Sequence, residues 1–262
     1  MLPETSFFPP IGQPFIVLAS IDSSNNYAMA QVRAGMATAG TVYLAMEQTH
    51  GRGQRGKSWV ANPGENIMIS VVLQPKWLIT GNPFGLSATA ALGCYDFFKN
   101  LAGDESTRIK WPNDLYWQDR KAGGILIETL SAETGSPEPK FAIIGIGINV
   151  NQTTFDPGLP NPVSLKQITG RQWDVLELAR ELCACLQKRY EELEDGHLAQ
   201  ITTDYNNALF KRHQAVHLKK DSAVFETIIQ GVSPDGKLMT KDVVERTFNF
   251  GEIEWLVGRR DE

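Results

Sequence analysis

Cysteine is scarce in this chain, and its spacing argues against two common uses. Three cysteines occur among 262 residues, Cys94, Cys183 and Cys185, and no two of them form a CxxC pair. An odd number without that pair indicates neither a disulfide framework nor a zinc site. We therefore expect reduced thiols and a cytoplasmic protein.

Long apolar runs and an excess of basic residues are also missing. No stretch reaches the ~20 apolar residues that a membrane-spanning helix needs, and the opening MLPETSFFPPIGQP has no basic segment before an apolar run, so we expect no secretory signal. The formal net charge of -5 argues against a general nucleic-acid binder, because neutralising phosphates needs a basic face. We therefore expect neither DNA nor a membrane as a partner.

Periodicity predicts a mixed α/β chain followed by a small all-β module. Helical patterns occur at 26–35 and 83–101, and from 173 to about 212. Short apolar stretches predict strands at 14–21, 41–48, 67–73, 108–111, 115–118, 124–130 and 141–150. After His213 five short strands are joined by turns, including a PDG hairpin signal at 234–236, and they suggest a small β-barrel. We predict two domains, 1–212 and 213–262.

The stretch HGRGQRGKSW (50–59) contains a full match to the Walker A pattern of P-loop nucleotidases. A P-loop needs a helix that begins at its Lys-Ser pair and directs backbone N–H groups at the phosphates. Here Pro63 and Gly64 follow, and they lead into a β-branched apolar run, so no helix is predicted and we reject the P-loop. The glycines and same-sign cations favour a mobile anion-binding loop over the alternative, a solvated surface loop.

Two further segments carry candidate chemistry. In KWPNDLYWQDRKAGGILIE (110–128), lysines suit phosphate and Asp114 suits a Mg²⁺ that bridges phosphate oxygens, although a merely charged hairpin is the alternative. GIGINVN (145–151) lacks the third glycine and the helix of a dinucleotide site. Its alternating glycines leave one strand face bare, either for the aliphatic part of a ligand or for close strand packing.

Together with DSSN (22–25) and EQTHGRGQRGKSW (47–59), these segments resemble the biotin protein ligase family in order and spacing, over nearly the whole chain. The resemblance implies an α/β (α+β) fold of the class II synthetase type. Its mixed, mainly antiparallel sheet would have flanking helices, which we expect on one side, and 213–262 would form an SH3-like barrel. Only the residues before Pro14 precede the first predicted strand, which leaves no room for the N-terminal helix-turn-helix of some family members. The chain therefore resembles the ligase-only type.

The family's chemistry, by this resemblance, is the activation of biotin by ATP and Mg²⁺ to biotinyl-5′-AMP. Biotin then passes to a lysine of an apo biotin carboxyl carrier protein, and the enzyme is a monomer or a homodimer. The implied catalytic residues are Lys121, Arg52 and Asp114, with Asp114 also the expected Mg²⁺ ligand. The implied biotin contacts are Ser23, Ser24, Asn25, Gln48, Arg52, Gly53, Gln54, Lys121, Gly145 and Gly147. The implied ATP or adenylate contacts are Arg52, Arg55, Lys57, Trp59, Lys110, Asn113, Lys121 and Asn149, with Trp59 stacked on adenine.

One departure and two alternatives accompany the resemblance. The family's loop commonly reads GRGRRG, whereas this chain has Gln54 in place of the second arginine, which removes one cation from the expected cover over the adenylate. A lipoate–protein ligase is the nearest enzymatic alternative, but its arginine-glycine-glycine-glycine run is absent. A non-catalytic biotin-sensing or carrier-binding protein is the other, and the retained Lys121, Asp114 and Arg52 argue against it.

Overall fold

A computed structural model describes residues 9–75, 83–102, 106–131 and 139–256. The strands of the first part are β1 Phe15–Leu18, β2 Val42–Ala45, β3 Asn66–Leu73, β4 Thr107–Lys110, β5 Asp114–Trp117, β6 Arg120–Ser131 and β7 Pro139–Asn149. The helices are α1 Ser24–Arg33, α2 Pro83–Ala102, α3 Leu165–Thr169, α4 Val175–Glu194 and α5 Leu198–Asn207. The last strands are β8 Ala215–Lys220, β9 Ala223–Val232, β10 Leu238–Lys241, β11 Glu245–Phe248 and β12 Glu254–Trp255.

A seven-stranded sheet, in the order β1-β2-β3-β7-β6-β5-β4, forms the centre of the fold. Its β1–β2 pair is parallel and the other neighbours are antiparallel, which confirms the mixed, mainly antiparallel sheet. The register aligns one transverse row of Met68, Gly147, Gly124, Asp114 and Lys110. Segments that are far apart in the sequence are thereby brought side by side.

Helices cover both faces of this sheet. On one face, Ile69 and Ile146 belong to the main apolar core, which includes much of α2 and α4. On the other face, Val72 and Ile143 pack with Ala28 of α1 in a smaller cluster. Our expectation of helices on one side was therefore wrong, because one end of β3 and β7 carries apolar side chains on both faces. Beyond that end the second face becomes polar and glycine-rich.

The expected helix from Trp173 to about 212 is divided. α4 ends at Glu194 and α5 begins at Leu198, and between them Gly196 adopts a φ of +82°, which glycine accommodates without strain. Arg189 of α4 joins the helices by ion pairs to Asp96 (2.6 Å) of α2 and to Asp204 (2.8 Å) of α5. No helix among the described residues is long and apolar enough to cross a bilayer.

The last five strands form a second antiparallel sheet in the order β11-β10-β9-β8-β12, as the turn pattern predicted. Among the described residues β11 and β12 are its edges, so closure into a barrel stays a prediction. Leu218 and Ile229 belong to the same apolar cluster as the first sheet. Trp111 Nε1 donates to the Gly236 carbonyl at 3.0 Å. The two sheets thus share a core, and the division at 212 remains a prediction.

Candidate active site

The glycine-rich loop folds back on itself as a closed hairpin over the polar face of the sheet. Gly53 N donates to the Lys57 carbonyl at 2.7 Å, and Trp59 N donates to the Gly51 carbonyl at 2.9 Å. A single 3₁₀ turn spans Gln54–Gly56, and no helix follows Lys57 before β3 begins. The rejection of a P-loop is therefore confirmed. Any side chain at Gly51 would clash with the Trp59 carbonyl oxygen.

Four polar residues form a buried hydrogen-bonded network on this face. Ser24 and Asn25 begin α1, and Ser70 lies in the middle of β3; their side chains are almost fully buried. Ser70 Oγ lies 2.8 Å from Ser24 Oγ and 2.5 Å from Asn25 Oδ1. Gln48 Oε1 accepts from Ser24 N at 2.7 Å. Ser23 precedes them as the N-cap of α1, but its side chain makes no capping hydrogen bond.

A second cluster is charged and joins the loop to β6. Arg52 donates through Nη2 to Glu128 Oε1 at 2.8 Å and through Nη1 to Glu128 Oε2 at 3.1 Å. Nη1 also donates to Asn26 Oδ1 at 2.8 Å. Glu128 Oε2 in turn accepts from Asn25 Nδ2 at 2.9 Å, so the charged pair continues the buried network. Arg52 is thus fixed at the edge of the polar pocket.

The three consecutive strands β4, β5 and β6 supply the third cluster. Lys121 Nζ donates to Asp114 Oδ1 at 2.6 Å, beside Gly124, where a Cβ would lie 3.4 Å from Nζ. Lys110 Nζ lies 3.2 Å from Tyr116 Oη, and it lies over the rings of Tyr116 and Trp255. Burial lowers the pKa of Lys110 to about 8; the nearby positive charge of Lys121 also lowers it, whereas Asp114 opposes the shift.

The two glycines of β7 make room for protein side chains. A Cβ at Gly145 would lie 2.9 Å from Asn25 Cγ, and one at Gly147 would lie 2.5 Å from Trp59 Cε2. The space at both glycines is therefore filled by side chains from α1 and the loop, and not by the close strand packing that was the alternative reading of GIGINVN. Contact of either glycine with a ligand stays a prediction, as does stacking of Trp59 on adenine. Trp59 Nε1 is buried and has no hydrogen-bond acceptor in the described part of the chain.

The remaining predicted residues surround these clusters. The Nδ2 atoms of Asn113 and Asn149 donate to the carbonyls of Ile125 and Val163, so both amides are fixed by the backbone. Gln54 Nε2 also donates to the Ile125 carbonyl, at 3.3 Å. The loop itself contains the remaining predicted residues, Arg52, Gly53, Arg55 and Lys57. The Arg55 side chain extends to the turn at Gly251 in the C-terminal sheet. The described residues contain no cluster of three metal-ligating side chains.

Sequence reasoning missed Ser70, Glu128 and Asn26. Ser70 did give a signal, because it is the one polar residue within the apolar strand 67–73. Glu128 closes the segment quoted above, yet its partners Asn25 and Arg52 are far away in sequence. Nothing local distinguishes it from an exposed strand-end carboxylate.

Comparison with known proteins gives concordant similarities. The sequence model of the biotin/lipoate A/B protein ligase family matches residues 17–149. The bifunctional ligase/repressor BirA of Escherichia coli is 30% identical over 248 residues, which cover 92% of this chain and 74% of BirA. The biotin–[acetyl-CoA-carboxylase] ligase of Paracoccus denitrificans is 29% identical over 233 residues, covering 86% of this chain and 93% of that protein. In fold, the chain resembles the biotin protein ligase from Aquifex aeolicus in complex with biotin and ATP, with a TM-score of 0.78 and 24% identity. The superposition covers 93% of this chain and 99% of the Aquifex chain.

Proposed function

The chain belongs to the biotin/lipoate A/B protein ligase family, and we propose on that premise that it is a biotin–[acetyl-CoA-carboxylase] ligase. In the first step a biotin carboxylate oxygen attacks the α-phosphorus of ATP, and pyrophosphate leaves. In the second, a lysine amine of an apo biotin carboxyl carrier protein attacks the acyl carbon, and AMP leaves. The products are an amide and AMP. The cytoplasm is the compartment that its free cysteines favour.

The observation that carries this proposal is the placement of two unlike clusters on one sheet face. The Ser24–Asn25–Ser70 network lies over the row through Gly145, and the Lys121–Asp114 pair lies at the row through Gly124. Ser70 on β3 and Asp114 on β5 are separated by three strand spacings across the sheet and by two residues along a strand. The distance between the two positions is therefore on the order of 15 Å. A ligand with a neutral polar ring at one end and an acyl phosphate at the other matches that separation.

Each cluster suits its end of the ligand. Hydroxyl and amide groups can pair with a ureido ring, whose burial without partners would cost ~1–3 kcal/mol for each unmet group. The ammonium of Lys121 lies where charge develops when a carboxylate meets a phosphate, and Asp114 orients it. We place Lys121 as the main stabiliser of both steps, with Arg52 beside the carboxylate or phosphate. Trp59 Nε1, a buried donor without an acceptor among the described residues, is available to the ligand.

The donor set at Asp114 also fits Mg²⁺. This ion commonly takes one or two protein carboxylates and completes its shell with water and substrate phosphate oxygens, so a single aspartate beside a triphosphate suffices. When bound, Mg²⁺ neutralises charge on the phosphoryl oxygens. Lys110 adds a second cation on the same side, 3.2 Å from Tyr116 Oη. We infer that Arg55, Lys57 and Asn149 face the nucleotide from the loop and from the end of β7.

A labelling experiment tests the proposal. The purified protein is incubated with ATP, Mg²⁺, radiolabelled biotin and an apo carrier protein, and label is expected in the carrier with stoichiometric release of pyrophosphate. Omission of ATP is the control. Incorporation of lipoate instead of biotin would identify a lipoate–protein ligase. Binding of biotin without any pyrophosphate release would identify a non-catalytic biotin-sensing protein, and either result overturns our proposal.

A further inference from the structure

The turn that leads to Asp114 is held by a tyrosine from a distant helix. Lys110 and Asp114 are directly paired at the end of the β4–β5 hairpin, so residues 111–113 form the turn between them. Pro112 has no N–H group, and its carbonyl is therefore its only polar backbone group. That carbonyl accepts a hydrogen bond from Tyr205 Oη at 2.9 Å. Since a carbonyl can only accept, the tyrosine is the donor.

The segment after α5 attaches Tyr205 to the same hairpin. β4 is the last strand in the order of the first sheet. Its outer edge is completed by residues 208–210, because Ile109 N donates to the Ala208 carbonyl at 2.8 Å and Phe210 N donates to the Ile109 carbonyl at 2.9 Å. Tyr205 stands in the last turn of α5, directly before this segment. The tyrosine and β4 are thus parts of one hydrogen-bonded unit.

The Tyr205 side chain is fixed by packing. It is fully buried, and its ring meets the Phe84 ring of α2 edge-on, with the ring centroids 5.2 Å apart. The next residue, Asn206, fastens the same turn of α5 to β9. Its Oδ1 accepts from Val232 N at 2.6 Å, and its Nδ2 donates to the Val232 carbonyl at 2.9 Å. A hydroxyl held in this way determines where the Pro112 carbonyl lies.

We propose that Tyr205 is a positioning residue for the reaction: by holding the Pro112 carbonyl it places Asp114. Asp114 in turn accepts from Lys121 Nζ at 2.6 Å, so the ammonium is placed as well. The inference rests on the proposed function, because Asp114 and Lys121 receive their roles there. A misplacement of about 1 Å at reacting groups can slow a reaction about a hundredfold. The network around Ser70 lies three strands away, so the effect should fall on the chemical step and not on biotin binding.

Tyr205→Phe tests the proposal, because phenylalanine keeps the ring and removes only the hydroxyl. At saturating biotin and ATP we expect the first-turnover rate of pyrophosphate release to fall about tenfold or more, while the KM for biotin stays unchanged. Tyr190→Phe is the matched control, since it removes another buried tyrosine hydroxyl, hydrogen-bonded to Glu194 within α4. The control should lower the melting temperature without slowing the first turnover. A normal first-turnover rate in Tyr205→Phe would overturn the proposal.

A double variant separates positioning from folding. Asp114→Asn should itself slow the first turnover, and the addition of Tyr205→Phe should then slow it little further, because the two residues act through one another. A merely structural role would lower the melting temperature and leave the two rate effects independent. Multiplicative rate losses in the double variant, or a normal rate in Asp114→Asn, would therefore count against Tyr205 as a positioning residue. If the wild-type protein releases no pyrophosphate from ATP with biotin and Mg²⁺, the proposed function itself is wrong.

Discussion

Lys110 offers the sharpest prediction, because its charge is costly to the fold. Its ammonium group is buried between Tyr116 and Trp255, and desolvation lowers its pKa from 10.5 to about 8. An energy of about 3 kcal/mol separates those two pKa values. At neutral pH the folded protein therefore carries a destabilising charge. The proposed binding of a triphosphate gives a functional reason to keep it.

Replacement by methionine should make the protein more stable at pH 7. Lys110→Met removes the ~3 kcal/mol cost of the buried charge. It also removes the hydrogen bond to Tyr116 Oη, worth about 1 kcal/mol, and weak cation–π attractions of ~0.5–1 kcal/mol. The expected net gain in the free energy of unfolding is about 1–2 kcal/mol. The same change should raise the KM for ATP, since one cation facing the phosphates is lost.

The dependence on pH distinguishes this cause from better packing. The pKa is lowered in the fold, so between pH 8 and 10.5 the unfolded chain still holds a proton that the folded protein has released, and stability rises with pH. Below about pH 8 the full cost applies. By pH 9.5 it has fallen to about 1.4 kcal/mol. The advantage of Lys110→Met over the wild type should therefore disappear near pH 9.5.

Urea unfolding of both proteins at pH 7 and pH 9.5 measures the effect. Lys188→Met, at an exposed position of α4, is the control and should change stability little at either pH. A Lys110→Met protein that is less stable than the wild type at pH 7 would refute the reasoning. An equal difference at both pH values would refute it as well.

Three further predictions concern the reaction, the scaffold and the loop. Lys121→Ala should slow carrier labelling by ~3–4 kcal/mol of barrier, on the scale of other lost transition-state donors, with pyrophosphate release as the readout; near-normal rates would remove its catalytic role. Arg189→Met leaves the partly buried Asp96 and Asp204 carboxylates without their cation, so unfolding curves should show a loss of about 3 kcal/mol at an unchanged KM for biotin. Gln54→Arg restores a cation to the loop and should slow release of the adenylate, as measured by rapid filtration of enzyme loaded with labelled biotin; unaltered release would show that this position does not reach the intermediate.

The sequence predicted the elements of the fold better than their contacts. Apolar runs such as 67–73 and 141–150 mark buried strands, because a strand covered on both faces is apolar throughout. The division of the helix after Glu194 was missed, although Gly196 gave a local signal. The position of α1 on the second face depends on how β3 pairs with β7, and that pairing joins residues that are 69 (Leu73 and Ala142) to 83 (Asn66 and Asn149) positions apart.

The resemblance supplied candidate residues for both halves of the site, but local spacing predicted only one of its side-chain contacts. Lys121 and Asp114 lie on one hairpin, so their contact follows from local spacing. Asn25, Ser70 and Glu128 come from three segments, and they meet because Ser70, Gly145 and Leu126 share one row of the sheet. Gly145 makes that meeting possible, since a side chain there would displace the Asn25 amide. The glycine that suggested a bare surface instead accommodates a polar group.

The C-terminal sheet lies next to two residues that we propose to face the nucleotide. Trp255 of β12 lies with its ring 5.8 Å from Lys110 Nζ, and the loop residue Arg55 extends to the turn at Gly251. Both Lys110 and Arg55 are proposed ATP contacts, and each has a neighbour from beyond residue 212. The network of Ser24, Asn25 and Ser70, which we propose to bind biotin, is hydrogen-bonded to Gln48, Leu126 and Glu128, all of which precede residue 212. Disturbance of the second sheet should therefore weaken ATP binding before it weakens biotin binding, and this asymmetry follows from which strands carry each cluster.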